Sequence, residues 1–301
     1  MTFALFLLLA QAQSMNAFEQ HARAGECSAA AALLQKEPKA GEVPYVLLGE
    51  CYSRLGKTDL AVKTLQDGLR AIPGSGVLLR ALGRIRFRQD PESNEVGSLL
   101  RRAAAALPRD PEALHYYAQW AYLNNRERLC TQLERRALML PALPEQALLQ
   151  MNTLLGMCAS RLDDVQTAGA AFKNAFKINQ SLQVFDPGSA YQYVQFLLQS
   201  RLNTEAQSLV AELLKRSPRF GPAHLEMAKS FDHSGQPAQA IEEAQLALAG
   251  EGNTPSSIRA AHVLLAKCYF LLGKRSEAEE EQRWIESNPA FPNKGTSLGP
   301  R

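Results

Sequence analysis

Apolar residues recur at three- and four-residue intervals along this chain, the spacing that places them on one face of an α-helix. The pattern is clearest from Pro44 to Gly74, where it describes two helices that are separated at residues 55–57 and end at Pro73. The first helix has an apolar face that consists of Tyr45, Leu48, Gly49 and Tyr52. The corresponding face of the second consists of Ala61, Leu65, Gly68 and Leu69. The stretch therefore predicts one helical hairpin.

The same pattern repeats in both directions from this stretch. A small residue marks the second helix of each predicted hairpin, and these residues are Ala30, Ala61, Val96, Cys130, Ala168, Ala206, Ala240 and Ala278. Successive members lie 31 to 38 residues apart. Prolines, which disfavour helix at the preceding residue, close hairpins at Pro73, Pro108, Pro141, Pro218 and Pro289. We predict an all-α fold of about seven hairpins with a partial hairpin in front of them.

The best-formed hairpin matches the pattern W-x2-L-G-x2-Y…A-x3-F…P, with Tyr45 in place of the Trp and Leu65 in place of the Phe. The chain therefore resembles the tetratricopeptide-repeat (TPR) family. The resemblance implies a right-handed α-solenoid whose first helices line a concave, protein-binding groove. The predicted organisation is a signal peptide at residues 1–12, a partial hairpin at 14–40, the repeat array at 41–288 and a disordered tail at 289–301.

The N-terminus resembles a secretion signal. Residues from Thr2 to Ala12 contain an apolar core followed by Ala10-Gln11-Ala12, which fits a signal-peptide cleavage site. The apolar run is too short to span a bilayer, and no cysteine follows it closely, so no stable membrane anchor is expected. We therefore expect a periplasmic or secreted protein. Because no basic residue precedes the core, a hydrophobic cap helix or a mis-assigned start of a cytoplasmic protein is the alternative.

The five cysteines lack the C-x2-C spacing and the nearby histidines of a metal site. Cys27 lies at the start of the second helix of one predicted hairpin, and Cys51 lies in the first helix of the next. Cys130 and Cys158 occupy nearly equivalent positions in two later hairpins. Consecutive solenoid helices lie side by side, so we predict Cys27–Cys51 and Cys130–Cys158 disulfides, with Cys268 free. The alternative is five buried thiols that act as small hydrophobic residues.

Composition and motifs indicate binding rather than catalysis. The net charge of +3 is too small, and the basic residues too scattered, to predict a nucleic-acid partner. No catalytic, phosphate-binding or metal motif occurs, so no cofactor, metal or catalytic residue is predicted. The histidines lie in different repeats, and His224 and His262 are interpreted as packing residues. The carboxylates at Glu242-Glu243 and at residues 279–281 are interpreted as solvated helix faces.

The family resemblance also implies a binding site. Carried over onto this sequence, the groove positions with a distinctive chemistry are Arg54, Arg80, Arg84, Phe87, Arg88, His115, Gln119 and Tyr122. Arginine favours planar contact with carboxylates, so these residues predict an extended peptide or partner segment in which acidic and apolar side chains alternate. The alternative for the arginines is a merely solvated helix face.

Two other functions stay open at this point. One is an accessory component of a cell-envelope or secretion assembly that acts through the convex face. The other is an enzyme that uses the groove as its active site. The sequence leaves the oligomeric state open.

Overall fold

The computed structural model describes residues 16–17, 19–36 and 41–289. This part of the chain is all-helical apart from one isolated bridge between Phe220 and Glu251. The predicted signal peptide and the tail from residue 290 onward lie outside the described residues.

The chain divides into two compact units, one that ends at Asp164 and one that begins at Val165. The helices of the first unit are α1, described at residues 16–17 and 19–24, α2 (Cys27–Lys36), α3 (Val43–Arg54), α4 (Thr58–Ala71), α5 (Gly76–Gln89), α6 (Asn94–Ala106), α7 (Pro111–Leu123), α8 (Glu127–Leu138) and α9 (Glu145–Arg161). Those of the second unit are α10 (Val165–Ser181), α11 (Pro187–Gln199), α12 (Asn203–Arg216), α13 (Gly221–His233), α14 (Pro237–Ala249), α15 (Pro255–Leu271) and α16 (Arg275–Ser287). The odd-numbered helices from α3 onward are the first helices of the predicted hairpins.

Most hairpin turns reverse the chain through one residue with a left-handed backbone. These residues have φ between 54° and 73°, and they are Gly56, Asn125, Asp163, Arg201, Gly235 and Gly273. Glycine adopts this conformation without a steric penalty, and Asn and Asp tolerate it better than most residues. Because the turn residue follows the first helix of its hairpin, counting back from it identifies equivalent positions in different first helices.

We define the seam position as the residue that lies five positions before each of these turn residues. The seam residues are Cys51, Trp120, Cys158, Phe196, Ser230 and Cys268. All but Ser230 are buried, with exposed fractions between 0% and 5%. Where the contact is clearest, the seam residue meets the second helix of the preceding hairpin: Trp120 lies against Gly97 of α6, and Phe196 lies 3.6 Å from the position that a Cβ of Gly169 in α10 would occupy.

The small residues that mark the second helices line these helix–helix contacts. Seven of the eight are buried, with exposed fractions of 0% to 3%. The eighth, Ala278, is only half-buried because it lies in α16, which has no buried residues of its own. Small side chains at these points let neighbouring helices approach closely, and this accounts for the repeating alanines.

Two cysteine pairs lie at disulfide distance. The Cα atoms of Cys27 and Cys51 are 5.8 Å apart, and those of Cys130 and Cys158 are 6.2 Å apart. Both separations fall within the range of roughly 4.4–6.8 Å that disulfides span. Cys268 is buried and unpaired.

The last hairpin is closed by stacking. The ring of Trp284 in α16 lies 3.6 Å from that of His262 in α15, with the two planes nearly parallel. In addition, Arg259 donates a hydrogen bond to the carbonyl oxygen of Ile285. These contacts hold α16 on α15, although α16 buries no whole residue.

Matched glycine substitutions test the seam. We expect Gly97→Ala to lower the free energy of unfolding by about 1–3 kcal/mol, because the new methyl group would overlap the Trp120 indole. Gly169→Ala, one residue past the small marker of its own helix just as Gly97 is, meets only ordinary contact with Phe196 and should raise it by about 0.5–1 kcal/mol. Urea denaturation followed by circular dichroism measures both. Equal effects of the two substitutions would contradict this account of the seam.

Candidate functional site

The first helices of the first unit form a continuous face. Helix α3 contacts α5, α5 contacts α7, and α7 contacts α9. We call this surface the first-helix face. All the predicted groove residues belong to it by sequence: Arg54 lies on α3, the next four lie on α5, and the last three lie on α7.

Arg80 and Arg84 lie in an ion-pair network with carboxylates of neighbouring first helices. Arg80 pairs with Asp110, and also with Glu112 at 3.3 Å. Arg84 bridges Glu112 at 3.1 Å and Glu50 at 2.8 Å. Because Glu50 belongs to α3 and Asp110 caps the N-terminus of α7, the network joins three successive hairpins through α5.

The network makes the groove less positively charged than the sequence predicted. The side chains of Arg80 and Arg84 are 24% and 23% exposed, so these two arginines are not freely solvated. Arg54 and Arg88 are exposed, as the alternative of a solvated helix face expects. Burial lowers the pKa of the Arg84 guanidinium, but Glu112 and Glu50 outweigh it and raise that pKa overall. Arg84 therefore stays charged, and its charge is balanced by the protein itself. The side chains of Glu50 and Glu112 are 39% and 37% exposed and remain accessible.

The other two arginines have no carboxylate partner among the described residues. Arg54 donates a hydrogen bond to the carbonyl oxygen of Ala22 at 2.9 Å, and Arg88 is exposed near the end of α5. The four arginines and the three carboxylates of the network together carry one net positive charge.

Two aromatic side chains predicted to line the groove lie toward the C-terminal ends of α5 and α7. Phe87 is half-buried and lies edge-on to Tyr116, with ring centroids 6.1 Å apart. Tyr122 is half-buried beneath the guanidinium of Arg161, which lies 3.8 Å from the ring centroid. Arg161 also donates a hydrogen bond to the Tyr122 carbonyl oxygen at 3.1 Å. Both rings are half-buried, so each leaves part of its apolar surface exposed.

The prediction that His115 lines an open groove is wrong. His115 is 7% exposed, and its Nδ1 lies 2.6 Å from a carboxylate oxygen of Glu134 in α8. Its other ring nitrogen, Nε2, lies 3.0 Å from the amide nitrogen of Gln119. The imidazole turns into the hairpin because the buried carboxylate of Glu134 needs a polar partner. Of these two groove residues, only the half-buried Gln119 is accessible.

The same histidine–glutamate arrangement recurs in two hairpins of the second unit. His224 lies 2.7 Å from Glu243, and His262 lies 2.5 Å from Glu281, each pair joining the first and second helices of one hairpin. All three pairs are separated by 19 residues. The interpretation of Glu243 and Glu281 as solvated is therefore wrong, since their side chains are only 24% and 19% exposed. The constant spacing in the sequence is the signal that could have revealed the pairs.

Glu134 is the most deeply buried carboxyl of these pairs. It is 0% exposed, and its Oε2 has no hydrogen-bond partner among the described residues. Burial raises the pKa of this carboxyl, while His115 opposes the shift and leaves it raised overall. The pair is enclosed between helices, so it can contribute to stability but offers no surface to a ligand.

The described residues contain neither a cluster suited to a metal ion nor a helix suited to a membrane span. No group of three or more side chains there could hold a metal ion. None of the helices in that part of the chain has the length and apolarity that crossing a bilayer requires.

Comparison with known proteins identifies the fold. Residues 44–74 match the family model described as tetratricopeptide repeat. The fold is that of tetratricopeptide-repeat proteins. No curated protein sequence matches the chain.

Solved structures of this fold cover most of the chain at low sequence identity. A TPR protein from Parabacteroides merdae superposes with a TM-score of 0.60 at 16% identity, over 84% of this chain and 94% of the other. PilF of Pseudomonas aeruginosa gives 0.50 at 17%, over 82% and 90%. A chain of the APC/C hetero-tetramer Cut9–Hcn1 gives 0.60 at 17%, over 82% of this chain, which spans only 48% of that one. These similarities establish the TPR α-solenoid fold predicted from the sequence.

Glu134→Gln tests the buried pair. A raised folded-state pKa contributes stability below the ordinary glutamate pKa of about 4.3, and this contribution is lost as the pH rises through the raised value. Glutamine keeps a hydrogen-bond acceptor for His115 but does not titrate. We therefore expect the stability of the variant relative to wild type to improve as the pH rises from about 4 to about 7.

Urea denaturation across this pH range measures the effect. Glu92→Gln, at an exposed turn position, is the control and should show a flat difference from wild type. A pH-independent difference for Glu134→Gln would contradict the assigned shift.

Proposed function

We propose that this protein is a non-enzymatic scaffold that binds an extended segment of a protein partner along the first-helix face. The observation that supports the proposal most directly is the partly exposed ion-pair network on that face, with Phe87 and Tyr122 farther along α5 and α7 toward their C-terminal ends. The charged groups of the network form ion pairs with one another and do not include a nucleophile with a neighbouring base. TPR folds present extended concave surfaces of this kind, which suit peptides and partner helices.

The chemistry of the face favours a partner segment that carries carboxylates. Glu112 touches both Arg80 and Arg84 and is 37% exposed, so an incoming carboxylate can replace it without burying an unpaired charge. Arg54 and Arg88 add positive charge that no carboxylate of the described residues balances. Apolar side chains of the partner would then lie against Phe87 and Tyr122.

Paired substitutions test the network. We expect Arg80→Ala with Arg84→Ala to weaken partner binding by about tenfold, because charge-assisted hydrogen bonds of the partner's carboxylates are lost. The matched control is Arg101→Ala with Arg102→Ala, two exposed arginines of the second helix α6. Binding of the captured partner is measured by biolayer interferometry. Equal affinity in the network variant and in wild type would overturn the assignment of this face.

Site-specific photocrosslinking separates the two faces of the array. A crosslinker at Arg88 of α5 should attach to the partner, whereas one at Arg102 of α6 should not. The opposite result would favour the convex face, and with it the accessory role in an envelope or secretion assembly.

We also propose that the protein is exported and that both cysteine pairs are oxidised. The spacing of each pair permits a disulfide without backbone movement, and stable disulfides are typical of oxidising compartments such as the periplasm. The apolar segment and Ala10-Gln11-Ala12 at the N-terminus support the same conclusion.

Thiol counting tests the redox state. Unreduced protein, denatured in iodoacetamide, should take up one alkyl group, at Cys268, because the other four sulfurs are protected. Peptide mass spectrometry locates the label, and the mature N-terminus should follow Ala12. Five labelled cysteines would overturn the disulfides, and an uncleaved N-terminus would overturn export.

A further inference from the structure

Two consecutive second helices of the first unit carry the same pair of exposed arginines. The pairs are Arg101-Arg102 in α6 and Arg135-Arg136 in α8. Each pair lies five and six residues after the small residue that marks its helix, which is Val96 in α6 and Cys130 in α8. The arginine pairs therefore repeat at the 34-residue spacing of these two hairpins.

The fold does not require basic residues at these two positions. The equivalent residues are Gln66 and Asp67 in α4, and Ala211 and Glu212 in α12. Positive charge stabilises the C-terminal end of a helix, but the pair in α6 precedes the last turn of that helix. Helix formation and helix packing thus leave the α6 pair without a structural role.

A fifth exposed arginine lies between the two pairs. Arg136 donates a hydrogen bond to the carbonyl oxygen of Pro108 at 3.5 Å, so the C-terminal part of α8 lies beside the turn that follows α6. The next residue of that turn, Arg109, is exposed. We call Arg101, Arg102, Arg109, Arg135 and Arg136 the arginine patch.

The nearest carboxylates neutralise little of the arginine patch. Asp164 lies 3.5 Å from Arg135, and these two side chains remain 42% and 50% exposed. Asp110, next to Arg109 in the turn, is held by Arg80 in the ion-pair network. The arginines of the patch that pair with no carboxylate of the described residues are Arg101, Arg102, Arg109 and Arg136.

The other carboxylates of these helices lie at helix starts or point inward. Glu95 lies near the start of α6, about two turns before the arginine pair of that helix. In α8, Glu127 pairs with Arg161, and Glu134 is buried against its histidine. Glu145, the first residue of α9, is exposed. The patch therefore keeps an excess of positive charge at the surface.

An apolar side chain protrudes beside the arginine patch. Met139 is 83% exposed, the highest value of any large apolar residue in the described part of the chain. It follows Arg135 and Arg136 by four and three residues, which places all three on the same side of α8. This surface therefore combines positive charge with an exposed apolar side chain.

The corner that carries Met139 is held in place by its neighbours. Leu140 and Leu143 pack against the hydrophobic core of the first unit. Pro141 and Pro144 restrict the backbone between α8 and α9. Core packing thus fixes the corner and leaves the methionine outside.

We propose that the arginine patch binds the phosphate groups of an anionic lipid bilayer and that Met139 enters the headgroup layer. Guanidinium groups bind phosphate oxygens in a planar, bidentate geometry. Basic clusters are attracted to anionic bilayers, and an apolar side chain adds to the attraction by leaving water. This binding is separate from the proposed scaffold function, because the patch lies on second helices and leaves the first-helix face free.

A bilayer accounts for these observations better than a nucleic acid does. Proteins that bind single-stranded nucleic acid stack its bases on aromatic side chains. Helices α6 and α8 and the turns that follow them, residues 94–110 and 127–144, contain no aromatic residue. A bilayer also takes up the exposed methionine, which a contact with phosphate groups alone does not.

Co-sedimentation of the full chain with vesicles tests the proposal. The probes are vesicles of phosphatidylglycerol mixed with phosphatidylcholine, and vesicles of phosphatidylcholine alone. We expect the protein to sediment with the anionic vesicles only, and to be released in about 1 M NaCl, where the Debye length falls to about 3 Å. Equal sedimentation with both kinds of vesicle would overturn the proposal.

Charge substitutions locate the contact. Arg102→Gln with Arg136→Gln removes one arginine from each pair and should lower the affinity for anionic vesicles by about tenfold. The matched control is Lys63→Gln with Lys215→Gln, which removes the same charge from exposed positions of the second helices α4 and α12. An equal loss in both double variants would mean that net charge alone attracts the protein, and the assignment to the patch would fail.

Met139→Gln tests the apolar contact. We expect about fivefold weaker binding to the anionic vesicles, because the methionine side chain no longer gains free energy by leaving water. Val184→Gln is the matched control, since Val184 is 82% exposed but belongs to a turn of the second unit. The same affinity in the two variants would contradict the entry of Met139 into the headgroup layer.

A single-stranded DNA oligonucleotide separates the two kinds of phosphate partner. If the oligonucleotide binds and the anionic vesicles do not, the partner of the patch is a nucleic acid and the proposal fails. Binding of the protein partner is measured without lipid, so the failure of one site leaves the other standing. For the same reason the α6 arginines remain a suitable control in that measurement.

Discussion

The close contact between the second helix of one hairpin and the first helix of the next is the constraint on which the rest of this structure depends. Small residues such as Ala61 and Ala206 bring the backbones together, and the seam residue of the following helix completes the contact. Cysteine, tryptophan and phenylalanine all occur at the seam because the opposing helix is adjusted to each. Gly97 makes room for Trp120, while Cys27 and Cys130 each stand beside another cysteine. An array of such contacts stays stable while its first helices are left free for binding.

Polar groups between the helices follow a second rule, which is that a buried charge needs a partner. Within hairpins the partners are histidine and glutamate, as at His115 and Glu134. Between hairpins of the first unit they are arginine and carboxylate, as at Arg84 and Glu112. The carboxylates of Glu50 and Glu112 in the second kind are the more exposed, at 39% and 37%, so they are the ones that a partner's carboxylate can replace. The difference in exposure separates polar groups that stabilise the fold from those available for recognition.

The sequence predicted the fold far better than the site. Helical periodicity and the spacing of small residues are local, so they survive even in hairpins that match the repeat pattern poorly. The partners of a side chain are not local: Arg80 and Asp110 are 30 residues apart, and Arg84 and Glu50 are 34 apart. Reading the arginines without these carboxylates made the groove look more basic than it is. Reading His115 by its position alone missed the glutamate that turns it into the hairpin.

What the sequence alone determined is the repeating helical hairpin, because apolar spacing and turn residues act over a few positions at a time. It also brought out the two cysteine pairs, since neighbouring helices of an array must lie side by side. Only the tertiary structure decided which polar groups are neutralised and which side chains meet at each helix–helix contact. Ser230 is an ordinary serine in the sequence. It bonds to Gln207 because α12 and α13 pack together, at the place where Trp120 meets Gly97 between α6 and α7.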